Sequence, residues 1–161
     1  AKETLEMLRN ECSLEHATQE SLGAISSQIN EIFSRIHAPH EYEYVGKGEA
    51  LLQTCTSHEI RTLEQISTGQ RAAFALSVFL SMNRNATKAP PVLLIDDPIA
   101  HIDDLNALSF LDYLRDLAVN SNRQIFFATA DTRIASLFAR KFSFLGESFR
   151  SIQLERGVAA G

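Results

Sequence analysis

Val92-Leu93-Leu94-Ile95-Asp96-Asp97-Pro98 is the stretch on which the reading of this chain turns. Four apolar residues in an unbroken run predict a short central strand buried on both faces. Two adjacent carboxylates and a proline end it. In open α/β sheets, ligands sit at the carboxyl ends of strands. A carboxylate there can hold Mg²⁺, a hard cation that takes oxygen ligands and keeps several waters. Adjacent residues of an extended chain point to opposite sides. Asp96 can therefore face a metal while Asp97 faces another atom, such as an attacking water. The same residues also suit a plain strand end followed by an Asp-rich turn or a helix cap.

Working outward, residues 104–119 return to helical spacing through Leu108, Leu111, Leu114 and Ala118. Gln124–Ala128 reads as another buried strand, residues 132–141 as a helix and Phe149–Leu154 as a last strand. On the other side, residues 69–84 form a helix apolar almost all round, which predicts burial. Residues 41–56 alternate, with Tyr42 and Tyr44 before Gly46-Lys47-Gly48, and read as a β-hairpin with a glycine turn. Residues 1–37 read as helix. Leu22, Ile25, Ile29, Ile32 and Ile36 form a heptad-like seam, with Leu5, Leu8 and Cys12 starting a similar stripe upstream. Pro39 ends that segment. The strand–helix–strand alternation argues an α/β fold with a parallel or mixed sheet flanked by helices.

A second constellation is Ile66-Ser67-Thr68-Gly69-Gln70-Arg71, directly before the apolar helix. Ser67 and Thr68 bring hydroxyls to that helix's N-terminus, where unpaired N–H groups and the positive dipole end suit a phosphate. Gly69 lets backbone approach a ligand closely. The alternative is an ordinary N-cap.

Together the two constellations resemble the ABC-type ATPase heads of the SMC family and its DNA-repair relatives of the RecF, RecN and SbcC kind. Residues 66–70 resemble the signature motif, usually LSGGQ or LSGGE, and residues 92–97 the Walker B strand. His101-Ile102-Asp103-Asp104 falls at the D-loop, and residues 124–131 resemble the strand leading to the switch histidine. The resemblance implies the C-terminal lobe of an ABC-type ATPase head, with a mostly parallel sheet flanked by helices. Residues 1–37 would be a helix of a coiled-coil stem and residues 38–161 the lobe. The cofactors implied are ATP and Mg²⁺. Asp96 would bind the metal and Asp97 would act catalytically on the attacking water. Ser67, Thr68, Gly69 and Gln70 would form the nucleotide-contacting motif of an opposing head, and Asp103 would cross the dimer interface.

Three residues depart from the pattern: Asp97 stands for glutamate, Ala130 for the switch histidine and Thr68 for a glycine. These imply slow hydrolysis or dependence on a partner, with Thr129 a candidate to replace the histidine. The chain also holds no GxxxxGK[ST] loop, so it cannot cradle ATP phosphates by itself. The expected partners are a Walker A lobe of the same protein, a second head and, for the whole assembly, DNA. The alanine start reads as a cut within or near a coiled-coil arm.

With 161 residues, 45% hydrophobic and 22% charged, the composition excludes collagen-like and wholly disordered chains. The net charge is −5, split as −7 over residues 1–104 and +2 beyond, so no whole-surface nucleic-acid footprint exists. Arg133, Arg140, Lys141 and Arg150 could form a local basic face. Arg71 suits phosphate, DNA or a structural ion pair equally, and His101 an interface. His37 and His40 read as a solvated loop. Cys12 and Cys55 read as inert thiols in a reducing compartment, and no stretch suits a secretory leader or a membrane span, so the expectation is cytoplasmic. Two functions compete: a half-site for ATP hydrolysis in DNA repair, chromosome organisation or anti-phage defence, or an ATP-gated dimerisation scaffold with little turnover. A transporter's nucleotide-binding domain fits less well.

Overall fold

A computed structural model of the chain describes residues 14–47, 50–99 and 102–154. The upstream stripe of Leu5, Leu8 and Cys12, the turn residue Gly48 and His101 lie outside them. The element order is α1 (Leu14–Ala24), α2 (Ser26–Ile36), β1 (Tyr42–Lys47), β2 (Ala50–Thr54) and β3 (Ile60–Arg61). Then follow a 3₁₀ turn (Leu63–Gln65), α3 (Thr68–Asn85), β4 (Val92–Asp96), α4 (Asp104–Asn120), β5 (Gln124–Ala128), α5 (Thr132–Phe142) and a 3₁₀ segment (Ser143–Ser148). The mixed α/β fold expected from the sequence is present.

Strands β1, β2 and β3 form an antiparallel sheet, and β4 pairs with β5 in parallel, Leu93 opposite Ile125 and Ile95 opposite Phe127. The predicted hairpin needs its glycine. Gly46 has φ +60°, and a Cβ there would stand 2.9 Å from the buried Tyr44 hydroxyl. Only glycine meets both conditions without strain.

The helix expected over residues 1–37 is interrupted at Ile25, which adopts a turn conformation between α1 and α2. Gly23, Ser26 and Ser27 around it are weak helix formers. From there the seam turns inward. Ile29, Ile32, Phe33 and Ile36 are all buried, packed between α3, α4 and β1. Phe33 meets Phe74 of α3 edge-on at 5.8 Å, a favoured aromatic geometry. Asn30 clamps β1, accepting from Tyr44 N at 2.6 Å and donating to Tyr44 O at 3.1 Å.

Three sequence expectations are corrected. Strand β4 is buried on one face rather than two: Leu93 and Ile95 are covered, while Leu94 is 68% exposed. On β5, Phe126 opposite it is 51% exposed. The described residues supply helices for only one side of this sheet. Helix α3 is not buried all round, because Ala75, Phe79 and Met82 leave an exposed apolar stripe. Together with Leu22, Leu51 and Leu63 they line a cavity of about 380 Å³. Phe149–Leu154 forms no strand. Phe149 joins the ring stack of Phe127, Phe138 and Phe142 on α5, and Ile152 and Leu154 remain exposed without a ladder.

Truncating Phe33 to alanine removes the ring joining α2 to α3 at a site that neighbours on several elements keep from collapsing. The expected loss is about 3–5 kcal/mol, read as a drop in the denaturant midpoint at unchanged slope.

Candidate functional site

The carboxyl ends of β4 and β5 converge. Asp96 closes β4 on its open face, alternating with Leu93 and Ile95, which point into the core. Asp97 follows in the left-handed region at φ +42°. A non-glycine residue there costs roughly 1–2 kcal/mol, least for Asp and Asn. Two contacts hold it: its N–H donates to Ala128 O at 2.9 Å, and its Oδ1 accepts from Thr129 Oγ1 at 3.1 Å. Thr129 in turn accepts the Asp131 N–H at 3.1 Å, and Asp131 caps α5 through the Arg133 and Ile134 amides. Ala130, between them, carries no polar side-chain atom.

Asp103 is the N-cap of α4. Its Oδ1 accepts the Asn106 N–H at 3.0 Å and its Oδ2 accepts from Asn106 Nδ2 at 2.7 Å. The Asn106 backbone donor, aided by its side chain, holds the Asp103 carboxyl below the usual carboxylate range. Asn106 is buried, and its Oδ1 also accepts the Ala38 N–H at 2.8 Å. The segment leaving α2 is therefore tied to the loop after β4. The Asp103 cap and the link to Ala38 both emerge only from the structure.

At the start of α3, Ser67 is an N-cap inside a reciprocal capping box. Ser67 Oγ accepts the Gln70 N–H at 3.2 Å, and Gln70 Oε1 accepts the Ser67 N–H at 2.8 Å. Gln70 Nε2 donates to Glu41 Oε2 at 2.6 Å, a partner no local signal marks. Thr68 is exposed and accepts from Arg71 at 3.3 Å, and Gly69 is half-buried in the first turn. Among the described residues this cluster shares no hydrogen bond with Asp96, Asp97 or Asp103. The ordinary cap and an exposed helix N-terminus coexist here, since capping leaves the remaining first-turn amides unpaired within the helix.

His37 is not in a solvated loop. It is 7% exposed, edge-on to Phe33 at 5.4 Å, because the chain leaving α2 folds back over the core. Neither ring nitrogen has a well-formed hydrogen bond, the Ala38 backbone giving only a poorly aligned contact. Burial lowers its pKa below 6.5 despite the Glu41 and Asp103 carboxylates nearby. The basic face is diluted: Arg133 pairs with Asp131 and Lys141 with Asp112, while Arg140 and Arg150 are exposed. Burial, then Glu43, pushes the Cys55 thiol up, away from the reactive thiolate. Among the described residues, no group of three or more His, Cys, Asp or Glu converges as a cage, and no helix is long and apolar enough to cross a membrane. The strand end carries two exposed carboxylates, Asp96 and Asp97, which fits Mg²⁺ arriving with phosphates, since one or two carboxylates then suffice.

No protein-family model matches the chain. In sequence it is similar to the DNA double-strand break repair Rad50 ATPase of Sulfolobus acidocaldarius, 24% identical over 132 residues. That match takes in 80% of this chain, which spans only 15% of the length of that relative. In structure it is similar to a chain from work on ATP-driven dimerization and DNA-stimulated activation of SMC ATPases, with TM-score 0.57 and 20% identity over 74% of this chain and 75% of that one. It is also similar to the Smc head domain with an extended coiled coil bound to the C-terminal domain of ScpA, derived from Pyrococcus furiosus. There the TM-score is 0.53 and the identity 20%, over 84% of this chain and 35% of that one. The fold is that of SMC head domains, and the resemblance to the C-terminal lobe of an SMC- or Rad50-like ABC-type ATPase holds.

Removing the Ser67 hydroxyl should cost about 1 kcal/mol of stability through the lost cap, seen as a lower melting temperature. Because the His37 pKa is lowered on folding, the unfolded chain takes up a proton first as pH falls through 6.5. Stability should therefore fall between about pH 7 and 5. His37→Leu should flatten that slope in denaturant titrations and be neutral or stabilising at pH 7, since it removes a buried, poorly satisfied ring.

Proposed function

We propose that the chain is the C-terminal half of an SMC-like ATPase head, completed by a Walker A lobe of the same protein and assembled as an ATP-sandwiched dimer acting on DNA. The observation that carries this reading is the open face of the β4–β5 pair. A parallel two-stranded sheet with one apolar face in water is not a stable end state, because parallel sheets are covered on both faces. Leu94 and Phe126 mark a surface that a second lobe would cover, and Asp96 stands at its edge.

In this reading Asp96 holds the Mg²⁺ that travels with ATP, which supplies charge neutralisation at the phosphates. Asp97 orients the attacking water. Ser67, Thr68, Gly69 and Gln70 present the first turn of α3 to the phosphate of a nucleotide held by the opposing head, where backbone amides and the helix dipole favour negative charge. Asp103, locked by Asn106, shapes the loop that crosses to the other head. Positioning and electrostatics account for most of phosphoryl-transfer catalysis, so these roles require fixed geometry more than unusual reactivity. Residues 1–37 form the base of a coiled-coil stem whose last turns, in α2, are embedded in the lobe. The Rad50 similarity supports DNA repair over the other pathways, with a cytoplasmic setting as part of the same reading. The shorter Asp97 and the absent histidine keep a second reading in play, an ATP-gated dimer with little turnover.

Mixing the chain with its Walker A lobe and ATP separates the two. Dimerisation with phosphate release supports the enzyme; dimerisation alone supports the gate; neither rejects the pairing. Leu94→Lys should abolish lobe pairing in analytical ultracentrifugation while changing the chain's own stability by less than about 0.5 kcal/mol. Fast turnover of the full-length protein that Asp97→Ala leaves unchanged would sink the assignment of Asp97.

A further inference from the structure

We infer that Thr129 is a positioning residue for the Asp97 carboxylate, its hydroxyl at the end of β5 holding one carboxylate oxygen in place. The inference rests on the proposed ATPase reading and deepens it.

Asp97 is exposed, and a free carboxylate there would sample several rotamers. Two consecutive residues at the end of β5 restrain it. Ala128 O accepts its backbone N–H at 2.9 Å, and Thr129 Oγ1 donates to its Oδ1 at 3.1 Å. The direction of the second bond is settled by a third. Thr129 Oγ1 already accepts the Asp131 N–H at 3.1 Å, and a carboxylate accepts only, so the single hydroxyl proton points to Asp97. Asp131 is itself fixed as the cap of α5. The relay therefore runs from a helix terminus, through one hydroxyl, to one carboxylate oxygen, and leaves Asp97 Oδ2 free to take a water. In this arrangement Thr129 acts through Asp97. Valine has nearly the same shape without the proton donor, while serine keeps the donor.

The test uses the full-length protein with its Walker A lobe, comparing Thr129→Val, Thr129→Ser and Asp97→Ala singly and Thr129→Val in the Asp97→Ala background. Steady-state phosphate release and ATP-dependent dimerisation are both measured. Thr129→Val should lower kcat about 10- to 100-fold while the KM for ATP and dimerisation stay unchanged. Thr129→Ser should restore most of the rate, and Thr129→Val should add nothing to Asp97→Ala. Wild-type turnover in Thr129→Val, a parallel rise in KM, failure of serine to restore, or a further loss in the Asp97→Ala background would overturn the inference. A wild-type protein that dimerises but releases no phosphate overturns it too, while the head assembly stands. A wild-type protein that does neither overturns the proposed function itself.

Discussion

The packing of one helix face supports the rest of the molecule. Ile29, Ile32, Phe33 and Ile36 project from α2 into a space bounded by α3, α4 and β1. Burying four such side chains contributes on the order of 6–12 kcal/mol of transfer free energy as an upper estimate, comparable to the net stability of a typical domain. The antiparallel sheet is anchored to that helix through Asn30 and Tyr44, and α4 through the Arg35–Asp116 pair at 3.0 Å. The exit from α2 is tied through Ala38 to Asn106, and so to Asp103. The helix that enters the lobe thus meets, within a few residues, both the loop after β4 and, through Glu41, the start of α3.

The parallel pair is organised differently. On one face Leu93 and Ile95 are buried, and Phe127 of β5 stacks on Phe138 of α5, which stacks in turn on Phe142. The other presents Leu94 and Phe126 to water. The site residues Asp96 and Asp97 sit at the rim of the open face rather than in an enclosed cleft. An exposed carboxylate samples several rotamers, so restraint by neighbours decides where it points.

Much of this was legible in the chain. The β1–β2 hairpin, α3, β4, α4, β5 and α5 all follow from periodicity and punctuation, because these are local properties. A cap at Ser67 is one of two readings offered by its place before the apolar helix, whereas the Asp103 cap on α4 emerges only from the structure. The errors share a different cause. β4 and β5 look buried on both faces because a continuous apolar run carries no mark of which face the rest of the described residues covers. Phe149–Leu154 looks like a strand because its residues favour one, but a strand exists only where another edge accepts it. His37 looks solvated because a histidine two residues before a proline carries no signal of the core beneath it.

The sequence by itself determined the run from the β1–β2 hairpin to α5 and the placing of two adjacent carboxylates at a strand end, since each depends on residues within a turn or two of one another. Tertiary structure alone decided that α2 is the centre of the core, that one sheet face stays open and that Gln70 meets Glu41. It also decided that Thr129 reaches Asp97 across 32 positions of chain. Those contacts depend on how the helices and strands pack in space, and a hydrogen bond a few ångströms long leaves no periodic trace between residues so far apart in sequence.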